Sequence, residues 1–210
     1  MPVVIFITAS MFFKNRQKFS FNFFIVFLVY LLISLVVEIS SNIIAFYDLN
    51  NLVIYNVEML IETLAFCYLF YSIDLLAFAR KLLFASILFF VLFWIINFLF
   101  IQRVKTLDTY SYLLSCLILC MFSMITIYQY IFQSAFGNPF HNFFFWASIG
   151  ILFCYLGNIP YLASYNILVI KDKITAYSLG IISQIVNTIL YLMLITGIVC
   201  HRPQKILELQ

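Results

Sequence analysis

Between short polar breaks this 210-residue chain consists of apolar runs of about 20 residues, the length at which an α-helix crosses the roughly 30 Å hydrocarbon core of a bilayer. In that medium every backbone N–H and C=O must be satisfied within the protein, so only helices or closed barrels can span. A barrel needs short segments of alternating polarity, and the sequence has none. Composition closes off a soluble domain: 66% of the residues are hydrophobic and 9% charged, against about 25% charged in typical soluble domains. The expectation is an all-α, polytopic transmembrane bundle, a single domain over residues 1–210.

Seven helical segments are expected, at residues 2–18, 19–40, 52–73, 82–101, 109–132, 143–168 and 174–200. The first is short for a span unless Lys14 and Lys18 snorkel toward the interface, so six spans plus an N-terminal stub is the fallback. No positive stretch precedes it, so a cleavable signal peptide is not expected, and neither is a soluble domain at either end. Residues 40–51 read as a turn made by local Asn and Asp hydrogen bonds, and Gly137–Asn138–Pro139 as a breaker. Asp48, Asp74, Asp108 and Asp172 read as solvated loop residues. All five cysteines fall in or at the end of apolar segments without metal-ligand spacing, and read as small hydrophobes.

Orientation follows from the basic residues. With the N-terminus outside, Lys14, Arg16, Lys18, Arg80, Lys81, Arg202 and Lys205 face inward, while Arg103, Lys105, Lys171 and Lys173 face outward. The positive-inside bias therefore predicts a multi-pass protein of the cytoplasmic (inner) membrane with a cytoplasmic C-terminus. The N-terminus lies outside if the first helix spans.

The third segment carries the chemistry. Residues 51–71 include Asn56, Glu58 and Glu62 in an otherwise apolar helix, and a carboxylate deep in hydrocarbon costs about 2.5–3.5 kcal/mol. Glu58 and Glu62 are one turn apart on one face, with no intramembrane Lys, Arg or His to pair with. They require a proton, a hydrogen-bond donor or water. Further polar stripes lie on the other helices: Ser34 and Glu38 on the second, Cys154, Asn158 and Tyr161 on the sixth, and Gln184, Asn187 and Tyr191 on the seventh. Such residues also serve as glue between membrane helices, and the Gly150/Gly157 spacing suits close packing. The fourth segment, nearly all apolar with Asn97 near its outer end, reads as peripheral. The predicted site is one outward-opening polar pocket between helices two, three, six and seven, with Glu38, Glu58, Glu62, Asn56, Asn158, Gln184, Asn187 and Tyr191 as ligand- or proton-binding candidates.

Catalytic kits are missing from the sequence. There is no HExxH, both histidines (His141 and His201) lie in a loop or the tail away from any intramembrane Ser, and no Lys occupies a helix interior where a retinal Schiff base would need one. No metal or cofactor is called for, no nucleic-acid partner is indicated, and the chain reads more as a binding protein than as an enzyme.

Ile54–Tyr55–Asn56 followed by Glu62, the FWASIGILFCY run at residues 145–155 followed by Pro160, and the basic FFKNRQK turn at residues 12–18 together resemble a group of small bacterial seven-helix membrane proteins with no established activity. The resemblance implies the seven-helix topology and draws attention to Asn56, Glu62, Trp146 and Pro160. Members of that group begin with a longer first helix.

The functional expectation is a receptor-like or accessory protein. Besides the lipid bilayer, it would bind a small molecule or lipid and couple to a membrane or cytoplasmic partner protein. The alternative is a proton-coupled small-solute carrier using Glu58 and Glu62, although no internal repeat of the transporter kind is visible. A lipid-modifying enzyme using the glutamates as acid and base is the weaker alternative.

Overall fold

In a computed structural model the apolar runs become helices wherever their backbones can satisfy one another, and the polar breaks become turns. Residues 1–47, 51–73, 77–102, 106–132, 138–171 and 173–202 are described. Asp48, Asp74, Arg103, Lys105, Gly137, Asp172 and Lys205 lie outside them.

The described residues form seven helices and no strand: α1 (Pro2–Lys14), α2 (Phe21–Phe46), α3 (Leu52–Tyr71), α4 (Ala77–Ile96), α5 (Thr109–Phe132), α6 (Phe143–Lys171) and α7 (Lys173–Cys200). Single 3₁₀ turns, Arg16–Lys18 and Pro139–His141, precede α2 and α6, and α4 continues as a π-helical turn over Asn97–Ile101. Six of these helices are long and apolar enough to cross a membrane. This is a multi-pass membrane protein.

Several boundaries differ from expectation for local reasons. α1 stops at Lys14 because Asn15 folds back, its side-chain amide donating to the Met11 carbonyl at 2.9 Å, and residues 16–18 tighten to a 3₁₀ turn. α2 continues past Ser40 to Phe46, since Asn42 donates to the Glu38 carbonyl one turn back and leaves the helix ladder intact. α4 begins at Ala77, so Arg80 and Lys81 lie on its first turns. α6 runs uninterrupted through Pro160.

Packing sorts the helices into a ring and an outlier. α1 lies between α2 and α7, α2 meets α3, α3 meets α5, and α6 packs against both α5 and α7. α4 rests outside this ring on α3 and α5, with only 17% of its span buried against 50% for α5 and α6. Short as it is, α1 is part of the wall: Ile5, Thr8, Ala9 and Phe12, spaced along one face, are buried.

The tightest seam joins α6 to α7. A Cβ on Gly150 would come within 2.9 Å of Met193 Cβ, and one on Gly157 within 2.8 Å of Val186 Cγ1. Missing side chains let the backbones approach, which drives helix association where lipid removes the hydrophobic incentive. At the end of the bundle where α1 stops and α6 begins, Phe12, Phe19, Phe23, Phe27 and Phe143 pack as a cluster, with ring centroids 4.7–6.2 Å apart. That half of the ring is filled. The other half is not.

Candidate functional site

At the end where α1, α3, α5 and α7 begin, the ring encloses a cavity of about 650 Å³. α2 contributes Glu38, α3 contributes Glu58 and Glu62, α6 contributes Asn158, and α7 contributes Gln184, Asn187 and Tyr191. Seven of the eight candidate residues thus share one space, although they come from four helices. Their helical spacings explain it: Glu58 and Glu62, and likewise Gln184, Asn187 and Tyr191, are three or four residues apart and share a face.

Glu62 is the deepest-anchored carboxyl. The Tyr30 hydroxyl of α2 donates to its Oε1 at 3.0 Å. Tyr30 is itself fully buried and packs edge-on against Phe66, whose other neighbour is the ring of Tyr155. The Tyr155 hydroxyl approaches the same carboxyl but completes no hydrogen bond. Glu58, one turn toward the mouth, lies beside the buried Ser34 of α2. The wall formed by α6 and α7 carries a second knot. Asn187 Oδ1 accepts from the Cys154 thiol at 2.8 Å and from the Asn158 amide at 3.3 Å. This leaves Asn158 Oδ1 buried without a partner. Gln184 is exposed at the lip, where the cavity borders a shallower groove on the outer face of α7 lined by Ile181, Ile185, Thr188 and Ile189.

No known protein family matches the chain, and no curated protein or solved structure matches it significantly. The site is therefore read from its own residues.

Asn56 does not reach the cavity. It is fully buried, its amide donates to the Thr106 carbonyl at 2.9 Å, and its Oδ1 accepts from the Asp108 N–H at 2.9 Å. The Asn56 carbonyl accepts from Trp94 Nε1 at 3.2 Å. One α3 residue thus ties down α4 and the connection into α5. Asp108, expected as a solvated loop residue, is instead wholly buried: Asn97 donates to its carboxyl, and the Ser111 N–H donates to it at 3.3 Å. Burial raises the Asp108 pKa above the ordinary carboxylate value. Asn97 turns inward at the π-helical end of α4 to make this contact. Its polarity marks the inner face of an otherwise lipid-facing helix.

Sequence reasoning underestimated two features of the cavity. α1 and α5 also line it, through Met1, Ile5 and Tyr112. Tyr55, Tyr155, Tyr161 and Tyr165 add aromatic wall to Tyr112 and Tyr191. Part of this was visible in the spacing, since Tyr165 continues the 154/158/161 stripe of α6 by one more turn.

The arrangement offers three carboxyl groups and several hydroxyl and amide groups inside a low-dielectric surround. No Lys, Arg or His side chain is among its described lining residues, and no group of three metal-ligating side chains occurs among the described residues. His201 lies at the opposite end of the bundle, against Phe19 and Phe143. The cavity is equipped to hold a proton, a hydrogen-bond donor or a positive charge.

Proposed function

We propose that this chain is a receptor-like or accessory membrane protein whose polar cavity binds a small molecule or lipid and passes its occupancy to a membrane or cytoplasmic partner protein. One observation carries the reading: Glu38, Glu58, Glu62, Asn158, Gln184 and Asn187 converge on a single cavity of about 650 Å³, within the range of about 300–1,000 Å³ typical of ligand pockets. The distribution of basic residues supports an inner-membrane protein with the cavity mouth outside and the C-terminus in the cytoplasm. The buried floor of Tyr30, Phe66 and Tyr155 supports a pocket closed toward the far end of the bundle, as a receptor requires.

The second reading, a proton-coupled carrier, draws on Glu58 and Glu62 standing one turn apart in the same cavity. Proteoliposomes loaded with a pH-sensitive dye separate the two. The receptor reading expects no proton flux when a mixture of amino acids, amines and sugars is added outside. Substrate-induced flux in the native protein, lost in Glu62→Gln, would transfer the assignment to a carrier. Release of lipid-derived products by the same vesicles would point to the lipid-modifying enzyme.

A further inference from the structure

We infer that the ligand of this cavity carries a primary ammonium group on an apolar body, an inference that rests on the binding reading above. Charge is the first reason. Glu58 and Glu62 line the cavity with no Lys, Arg or His side chain among its described lining residues, and the Met1 amino group, which also lines it, is placed to act on Glu38. Charge interactions inside a protein are several times stronger than in water, and a cationic ligand supplies a countercharge for Glu58 and Glu62.

Hydrogen-bonding capacity is the second and independent reason. Tyr155 and Asn158 line the cavity and are only 4% and 8% exposed, yet the Tyr155 hydroxyl and Asn158 Oδ1 have no partner. An orphaned buried polar atom costs about 1–3 kcal/mol. Both oxygens can accept, as the carboxyl oxygens do, and an ammonium presents three donors and no acceptor. Three donors suffice for these two oxygens and one carboxyl oxygen. The Tyr30 bond to Glu62 Oε1 fixes the carboxyl in place for it.

The walls provide the third reason. Tyr residues from α3, α5, α6 and α7 line the same cavity as the carboxyls, and aromatic faces attract cations while packing against apolar groups. The cavity also shares Ile181 and Gln184 with the groove on the outer face of α7. An ammonium can therefore arrive as a free amine through the mouth or as a phospholipid headgroup from the side. The chemistry is common to both.

The test uses the purified full chain in phosphatidylglycerol nanodiscs, with three probes sharing one aromatic body: phenethylammonium, 2-phenylethanol and 3-phenylpropionate. The expected result is a saturable rise in unfolding temperature with phenethylammonium alone, and at least tenfold weaker binding in Glu62→Gln, whose amide oxygen can still accept from Tyr30. Glu58→Gln, expected to weaken binding severalfold, takes its place if Glu62→Gln fails to fold. Binding of 2-phenylethanol or 3-phenylpropionate as tight as that of phenethylammonium overturns the ammonium assignment and leaves the binding reading standing. No binding by any probe overturns both. Replacing phosphatidylglycerol with phosphatidylethanolamine identifies the source: tenfold weaker phenethylammonium binding means the headgroup occupies the site, and unchanged binding means a free amine does. Either supports the inference.

Discussion

Tyr30 of α2 donates its hydroxyl to Glu62 of α3 at 3.0 Å, and this bond joins the floor of the cavity to the buried aromatic core. Both residues sit near mid-helix, deep in the bundle. Tyr30→Phe is expected to lower stability by about 1–3 kcal/mol, because the carboxyl loses its donor while staying enclosed. Glu62→Gln keeps an acceptor and should cost less. Thermal unfolding of both variants in nanodiscs checks the order, and the reverse ranking would remove Tyr30 as the anchor.

The α6–α7 seam should behave as a close steric fit. Gly157→Ala places a methyl 2.8 Å from Val186 Cγ1 and is expected to cost about 1–3 kcal/mol, with Val186→Ala restoring most of the loss. A Cβ on Gly180 would meet no atom within 4 Å, so Gly180→Ala should be neutral or stabilising by up to about 1 kcal/mol. A double-mutant cycle on unfolding temperature reads the Gly157–Val186 coupling directly.

Asn56 should prove a structural clamp. Asn56→Leu orphans the Thr106 carbonyl and the Asp108 N–H, at about 1–3 kcal/mol for each buried group. Hydrogen exchange at the Asp108 amide should accelerate, while phenethylammonium affinity changes less than twofold. A tenfold loss of affinity would instead return Asn56 to the binding site.

Stability should fall in acid through His201. Its Nδ1 accepts from the Phe143 N–H at 3.3 Å, so the ring proton lies on Nε2 and points to the Lys18 carbonyl at 3.1 Å. Burial lowers its pKa below the ordinary 6.5. The unfolded chain therefore binds more protons below that value, and the neutral ring's contribution is complete above about pH 6.5 and lost as pH falls through the lowered folded value. His201→Phe keeps a ring on Phe19 but should be less stable at neutral pH and lack this pH dependence. An unchanged acid profile in that variant would exclude His201 as the source.

Topology is open to labelling. Tyr47 is 68% exposed at the end of α2, on the cavity side of the bundle. In a background with Cys200 replaced by Ser, Tyr47→Cys should react with an impermeant thiol reagent from outside intact cells. Labelling only after the cytoplasm is opened reverses the orientation.

The candidate site was more legible than its supports. Glu58 and Glu62, or Gln184 and Asn187, share a face by helical geometry alone, and each carries polarity that lipid rejects. Their convergence was inferable because lipid leaves only the bundle interior for them. Asp108 was misread, and the position of Asn56 behind the cavity was hidden, for the opposite reason. In sequence a loop Asp and a helical Asn carry no sign of whether solvent or a backbone N–H answers them, and that depends on how the α4–α5 connection folds over α3. α1 was similarly undecided: its length argued against a span, while its buried face is visible only with α2 and α7 beside it.

The sequence by itself determined that the chain is helical, that it crosses the membrane several times, and which faces are polar. Those properties follow from hydropathy and a 3.6-residue period, both local. Only the tertiary structure decided that α1 closes the ring between α2 and α7, that Asn56 clamps a connection, and how many tyrosines wall the cavity. These depend on helix neighbours and rotation, which small contacts such as Gly157 against Val186 select and no local pattern encodes.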